Sequence, residues 1–234
     1  MRLLSVNLAR PHSGDHTDSP SGVTGIDKRP TDAPVAVAAP GPKGVGGSAL
    51  AGDVIGDMRH HGGDHQAVYA YAREDLDAWE RDLGRELPAG VFGENLTTSG
   101  VDVNGALIGE RWRVGPDVVL EVSCARIPCR TFAGWLGEEK WVRRFTRAAV
   151  PGAYLRVIEP GEIRAGDRIE ILHRPDHEVS VSFLFRALTT ERELLPRTLA
   201  AGEALPPEAR AQALAYLEKI EEAGKVERAA ERAS

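Results

Sequence analysis

Residues 118–132 read VVLEVSCARIPCRTF and contain the most strand-like segment of the chain. Residues 118–122 are mostly β-branched or aliphatic, a composition that favours a buried β-strand. Pro128 restricts Ile127 to extended geometry and has no N–H to continue a sheet, so the strand pattern ends there. The segment therefore predicts a β-strand whose exit carries Cys129.

Cys129 lies between two arginines, Arg126 and Arg130. Nearby cations favour the thiolate over the thiol, and a thiolate is both the stronger nucleophile and the better ligand for a soft metal. Cys124, inside the strand, is predicted to be a small buried hydrophobic residue. The Cys-x4-Cys spacing matches no zinc pattern, and two cysteines are too few for a disulfide framework. Cys129 is therefore the candidate reactive thiol.

Short apolar segments separated by glycine turns surround residues 118–132. They predict strands at residues 2–8, 35–38, 154–158 and 168–172. Leu76, Trp79 and Leu83 fall at helical spacing, with Gly84 as the stop signal, and residues 134–149 also have helical character. Short strands with one or two inserted helices predict a mostly β fold with a β-barrel core.

The composition changes near residue 178. Residues 180–188 form a compact apolar helix candidate, residues 190–193 have capping-box spacing, and a third helix is expected after Pro206 and Pro207. The chain is therefore predicted to consist of a β-barrel domain, residues 1–178, and a small three-helix C-terminal extension, residues 179–234.

Charge and hydropathy exclude several classes of protein. The 234 residues include 29 Lys and Arg against 35 Asp and Glu, a formal net charge of −6. Such a field does not attract nucleic acid or an anionic membrane. No apolar run approaches the roughly 18–20 residues of a membrane span, and the N-terminus lacks the pattern of a signal peptide. We therefore expect a soluble cytoplasmic protein that binds neither nucleic acid nor a membrane.

A second candidate site is the histidine- and glycine-rich run GDMRHHGGDHQAVY, residues 56–69. Its histidine spacing fits no zinc motif. Glycines allow backbone N–H groups to converge, an arrangement that suits an anion such as a phosphate better than a metal. The residues concerned are His61, Gly62, Gly63 and Asp64. A tight turn with solvated histidines is the alternative, and spacing alone favours it.

A third candidate is FGENLTTSG, residues 92–100. The Asn95 amide has the donor and acceptor needed to meet the edge of a heterocycle. In isolation the segment is more typical of an Asx-type turn between two strands.

Taken in order, five segments resemble the MOSC family, which is named for the C-terminal domain of molybdenum cofactor sulfurase. The similar branch is the stand-alone bacterial one with a three-helix C-terminal extension. The segments are GIDKRP (25–30), HGG (61–63) with AVYAY (67–71), FGENL (92–96), Gly109 with RVG (113–115), and RIPC (126–129). The resemblance covers residues 1 to about 220. It implies a β-barrel that binds the molybdenum cofactor (molybdopterin), a molybdenum–dithiolene pterin that carries a phosphate.

The resemblance also implies residue roles. Cys129, in the Arg-x-Pro-Cys segment, is expected to be the thiolate ligand of the molybdenum and the catalytic residue. The cations expected to pair with the phosphate and oxo groups are Lys28, Arg29, Arg126 and Arg130. The residues expected to hold the pterin or shape its pocket are His61, Gly62, Gly63, Asp64 and Asn95. Relatives often carry a basic residue where Gln66 stands, and a lysine where this chain has Thr131.

The function implied is that of an oxidoreductase that reduces N-hydroxylated small molecules to amines at a Cys129-ligated molybdenum. The chain has no flavin or iron–sulfur motif, so a separate electron-donor protein is an expected partner, and a homodimer is compatible with the family. Pyridoxal phosphate binding is not expected. Two alternatives stay open. One is a non-enzymatic carrier of the cofactor, or of sulfur as a Cys129 persulfide, and the other is a metal-free binding module.

Overall fold

The computed structural model of the chain describes residues 1–17 and 19–233. Its strands are β1 (Arg2–Ala9), β2 (His12–Ser13), β3 (Val23–Thr24), β4 (Lys28–Thr31), β5 (Val35–Val37), β6 (Val68–Ala72), β7 (Leu96–Ser99), β8 (Arg111–Val114), β9 (Val118–Ala125), β10 (Ala153–Glu159), β11 (Gly161–Ile163) and β12 (Ile169–His173). Its α-helices are α1 (Arg73–Leu83), α2 (Arg130–Leu136), α3 (Trp141–Ala148), α4 (Val181–Thr189), α5 (Leu195–Thr198) and α6 (Pro207–Ala233). Short 3₁₀ turns lie at Asp64–Gln66, Arg192–Leu194 and Leu199–Ala204.

Eight strands form one mixed sheet in the order β12-β8-β9-β10-β6-β7-β1-β4. Strands β6 and β7 are parallel, and the other neighbours are antiparallel. Two small ribbons, β5 with β11 and β2 with β3, lie apart from this sheet. Every residue of β9 is buried, as expected for a continuous apolar run in the interior of a sheet.

The predicted β-barrel is wrong in one respect, because the sheet does not close. Strand β1 is paired with β7 along its first part and with β4 along its second part. Only the first residues of the chain approach the start of β12. They do so through one bridge between Arg2 and Arg168 and three backbone hydrogen bonds, from the Leu3 N–H to the Asp167 carbonyl (2.9 Å), from the Gly166 N–H to the Leu3 carbonyl (2.8 Å) and from the Ile169 N–H to the Met1 carbonyl (3.1 Å). The chain is about 31% helical and 26% strand, so the predicted mostly β class is replaced by a mixed one.

The inserted helices follow the prediction in part. Helix α1 ends at Gly84, whose φ of 68° gives the left-handed cap that the sequence predicts. The predicted helix at residues 134–149 is instead two helices, because Gly137 adopts a φ of 71° and its N–H closes α2 on the Ala133 carbonyl. Helix α3 then starts at Trp141.

An aromatic cluster fixes α1, α2 and α3 against the sheet. Neighbouring rings lie 4.7–6.4 Å apart, mostly edge to face, a geometry that stabilises beyond simple burial. Its members are Trp79, Phe92, Phe132, Trp141 and Phe145. Because Phe132 belongs to α2, this cluster also holds the start of α2 at a defined position.

The C-terminal helical region is present as predicted. Ser180 caps α4, since its hydroxyl accepts a hydrogen bond from the Phe183 N–H at 3.1 Å. The capping box expected at residues 190–193 does not form, and a 3₁₀ turn without a side-chain cap stands there. The domain boundary at residue 178 stays a prediction, and Ser234 lies outside the described residues. Within the described ranges, no helix is long and apolar enough to cross a bilayer.

Candidate functional site

A cavity of about 480 Å³ opens where the chain leaves β9. This volume lies within the range of about 300–1,000 Å³ that is typical of small-molecule sites. The cavity is lined by parts of the segments 24–28, 53–67 and 93–95 and by residues 125–129, which begin at the last residue of β9. The predicted site residues on its wall are Lys28, His61, Gly62, Asn95, Arg126 and Cys129.

Cys129 stands at the N-terminus of α2, where its Sγ accepts a hydrogen bond from the Phe132 N–H at 3.5 Å. Burial raises the pKa of this thiol. The His61 imidazole, the charge of Arg126 and the Phe132 N–H together outweigh burial and bring the pKa down to about 6. Cys129 is therefore mostly a thiolate at pH 7, on the wall of the cavity.

Arg126 is a buried cation, with 6% of its surface exposed. Its Nη1 donates to the Phe92 carbonyl at 2.6 Å, and its guanidinium carbon lies 4.9 Å from the centroid of the Tyr69 ring and 4.2 Å from that of Phe132. Among the described residues no carboxylate oxygen lies within 4.0 Å of it. The negative charge it interacts with is the Cys129 thiolate rather than a carboxylate, so this part of the wall favours an anion.

Lys28 is equally buried but has a counter-ion. Its Nζ lies 2.6 and 2.7 Å from the two carboxylate oxygens of Asp53. Asp53 also accepts hydrogen bonds from the Ala9 N–H (2.8 Å), the Ser48 hydroxyl (2.6 Å) and the Asn95 Nδ2 (2.9 Å). Burial raises the pKa of Asp53, but Lys28 and these donors lower it below its usual value. The charge of Lys28 is therefore balanced inside the protein.

Sequence analysis missed Asp53. It belongs to a glycine-rich loop, where aspartate is typical of a turn and carries no catalytic motif. Its partners Lys28 and Asn95 are 25 and 42 residues away along the chain. The one sequence signal that pointed to this region was the length of the glycine-rich loop at residues 41–56, because long loops inside compact domains are more often functional.

Four predicted residues lie outside the cavity wall: Arg29, Gly63, Asp64 and Arg130. Arg29 pairs with Asp27 at the surface at 2.5 Å. Asp64 accepts a hydrogen bond from the Gly41 N–H at 2.9 Å. Arg130 donates to the carbonyl of Asp15 at 3.1 Å. The side chains of Asp64 and Arg130 thereby connect distant loops.

Cys124 is buried in β9, as predicted. Burial raises the pKa of its thiol to about 12, so it stays protonated. Its Sγ lies 3.4 Å from the His65 carbonyl. Of the two cysteines, only Cys129 is therefore poised to ionise.

Besides Asp53, the cavity wall carries Tyr69, Tyr154 and Gln66, which were not predicted as site residues. The rings of Tyr69 and Tyr154 pack at 4.9 Å between centroids with their planes tilted by 35°, and burial raises the pKa of Tyr154 to about 12. Gln66 lines the cavity, and its Oε1 is buried without a hydrogen-bond partner among the described residues. Native proteins leave few such atoms unpaired, so an orphaned amide on a cavity wall fits a bound ligand.

The described residues contain no group of three or more His, Cys, Asp or Glu side chains that could hold a metal ion. A thiolate and a guanidinium without a carboxylate partner among the described residues lie on one wall, and they suit a soft metal centre that carries negative charge.

Comparison with known proteins identifies the family. Residues 57–170 match the family model of the MOSC domain. The chain is 33% identical over 184 residues to YflK of Bacillus subtilis (strain 168), a match that spans 79% of each protein. It is 33% identical over 134 residues to a protein named Reductase from Gibberella moniliformis, spanning 55% of this chain and 24% of that protein.

The crystal structure of YiiM from Geobacillus stearothermophilus has the same fold, with a TM-score of 0.71 at 24% identity, over 91% of this chain and 97% of that one. The family-model match and the identity with YflK confirm the resemblance found in the sequence. The chain belongs to the MOSC domain family.

Proposed function

We propose that this protein binds the molybdenum cofactor through Cys129 and reduces N-hydroxylated small molecules to amines. The observation that carries the proposal is the pairing of a thiolate with a buried guanidinium that lacks a carboxylate partner, both on the wall of one cavity. MOSC domains are associated with the molybdenum cofactor, and the Gibberella protein named Reductase supports the reaction class. That similarity covers 24% of the Gibberella protein, so the substrate class is our proposal alone.

The residues present fit the cofactor chemically. The Cys129 thiolate is a soft ligand for the metal. The Arg126 guanidinium offers bidentate hydrogen bonds to an oxo group or a phosphate. The carboxamide of Gln66 is of the kind a pterin edge needs, and its Oε1 has no partner among the described residues. The Asn95 carboxamide accepts from the Tyr69 N–H and donates to Asp53, so it shapes the wall of the pocket.

The chain's own part in the reaction is to bind and orient. When bound, the cofactor supplies the two-electron metal chemistry that removes oxygen from an N–O bond. In balance, R–NH–OH takes up two electrons and two protons and gives R–NH2 and water, and a separate donor protein supplies the electrons. Arg126 holds negative charge beside Cys129, while Asp53 fixes the Lys28 ammonium and the Asn95 amide on the same wall.

The test compares Cys129→Ser with Cys124→Ala, both made together with the enzymes of cofactor synthesis. Molybdenum per chain is measured on freshly isolated protein, and reduction of an N-hydroxylated purine is followed with a chemical reductant. We expect Cys129→Ser to lose both metal and turnover, while Cys124→Ala keeps both. A Cys129→Ser protein with wild-type metal content and activity would refute the proposal. A wild-type protein that holds molybdenum without turnover would favour the carrier function.

A further inference from the structure

The tyrosine hydroxyls in and around the cavity fall into two kinds. Those of Tyr69 and Tyr71 are buried and donate to the carbonyls of Pro151 and Val150 at 2.6 and 2.8 Å. Tyr154 also lines the cavity, yet its hydroxyl makes no hydrogen bond to any described residue. A phenol in a largely buried setting normally finds a partner, so this hydroxyl is available to a ligand.

The position of the Tyr154 ring is fixed by the sheet. Its strand, β10, pairs with β6 on one side and with β9 on the other. The ring packs against Tyr69 at a tilt of 35°, and the face of Tyr69 in turn supports the guanidinium of Arg126. The hydroxyl therefore belongs to the same rigid wall as Arg126 and Cys129.

Burial raises the pKa of Tyr154 to about 12 and outweighs the opposing effect of the Arg126 charge. The hydroxyl therefore keeps its proton and acts as a donor at neutral pH. The amine product has lost the oxygen that an N-hydroxyl group presents, so a donor at this place distinguishes substrate from product.

We infer that Tyr154 is a substrate-binding residue whose hydroxyl donates a hydrogen bond to the oxygen of the N-hydroxyl group beside Cys129. The ligand class rests on the proposed function. Tyr154 is thereby the residue that makes the site prefer the N-hydroxylated compound over its amine.

The experiment is a two-by-two binding cycle on the full chain as purified, oxidised and without reductant, so that no turnover occurs. Isothermal titration calorimetry gives Kd for N6-hydroxyadenine and for adenine, with wild-type protein and with Tyr154→Phe. Loss of one hydrogen bond is expected to weaken N6-hydroxyadenine binding about 5- to 30-fold. Adenine binding is expected to stay unchanged.

Tyr71→Phe is the matched control, because it removes a hydroxyl that is already bonded to the Val150 carbonyl. It should lower Tm and leave both dissociation constants as in wild type. Tyr154→Phe should leave Tm unchanged and raise the Kd for N6-hydroxyadenine. The two variants therefore distinguish a hydroxyl that contacts the ligand from one that stabilises the fold.

The inference is overturned if Tyr154→Phe weakens both ligands equally or neither, or if the wild type binds neither. Molybdenum content and turnover of the same wild-type preparation test the proposed function separately. If Tyr154→Phe selectively weakens N6-hydroxyadenine binding but the wild-type protein holds no molybdenum, the inference is supported and the proposed function fails. A protein that holds molybdenum and turns over, but in which Tyr154→Phe does not selectively weaken N6-hydroxyadenine binding, supports the proposed function and overturns the inference.

Discussion

Replacing Asp53 with asparagine leaves the Lys28 ammonium buried without a carboxylate. In the wild-type protein Asp53 is approached only by donors: the Ala9 N–H, the Lys28 ammonium, the Ser48 hydroxyl and the Asn95 amide. An asparagine side chain has one oxygen, and its NH2 group must face at least one of these donors. The substitution therefore removes a charge and creates a donor–donor contact in the wall of the cavity.

The expected loss is large because the pair is buried. The side chains of Lys28 and Asp53 are 8% and 1% exposed. Removing one partner of such a pair costs about 3–5 kcal/mol of unfolding free energy. Lys28→Met leaves the carboxylate its other donors and costs less. The double variant is expected to regain about 1–3 kcal/mol relative to the sum of the single changes.

Urea unfolding of the cofactor-free protein at pH 7 measures all four members of this cycle. The control is Asp82→Asn, the same substitution in an exposed pair with Arg144 at 2.7 Å, where a loss below about 1 kcal/mol is expected. An Asp53→Asn protein within about 1 kcal/mol of wild type would refute the reasoning. The reasoning would also be refuted if the double variant lost the sum of the two single-variant losses within about 0.5 kcal/mol.

In the cofactor-free protein, alkylation of Cys129 by iodoacetamide should rise with pH around a midpoint near 6, while Cys124, whose pKa burial raises to about 12, stays unmodified. Peptide mass spectrometry follows both thiols, and a Cys129 midpoint above pH 8 would contradict the expectation. Burial, with Asp102 and Glu74 nearby, raises the pKa of Asp75 to about 6 from its usual 3.8, so the folded state binds this proton more tightly and stability falls as pH rises from about 4 to about 6. Asp75→Asn should therefore add about 1–2 kcal/mol to the unfolding free energy at pH 7.5 and nothing at pH 3.5. Urea unfolding at the two pH values measures the difference, and equal midpoint shifts at both would contradict the expectation.

Local signals predicted much of the fold correctly. The β-branched run of β9, the Gly84 stop of α1 and the Ser180 start of α4 depend on propensities and caps within a few residues. Barrel closure was mispredicted, because pairing between β1 and β12 depends on which strand edges are already occupied. No residue pattern within either strand carries that information.

The candidate site divides in the same way. The sequence alone determined that Cys129 follows a buried strand, and that an arginine three residues earlier accompanies it, because both facts lie in one short segment. Only the tertiary structure decided that Lys28 is neutralised by Asp53 while Arg126 has no carboxylate partner among the described residues. It also brought Tyr154 to the cavity wall. Ion pairs and cavity walls are made by segments far apart in the chain, and such contacts follow from packing rather than from any spacing along the sequence.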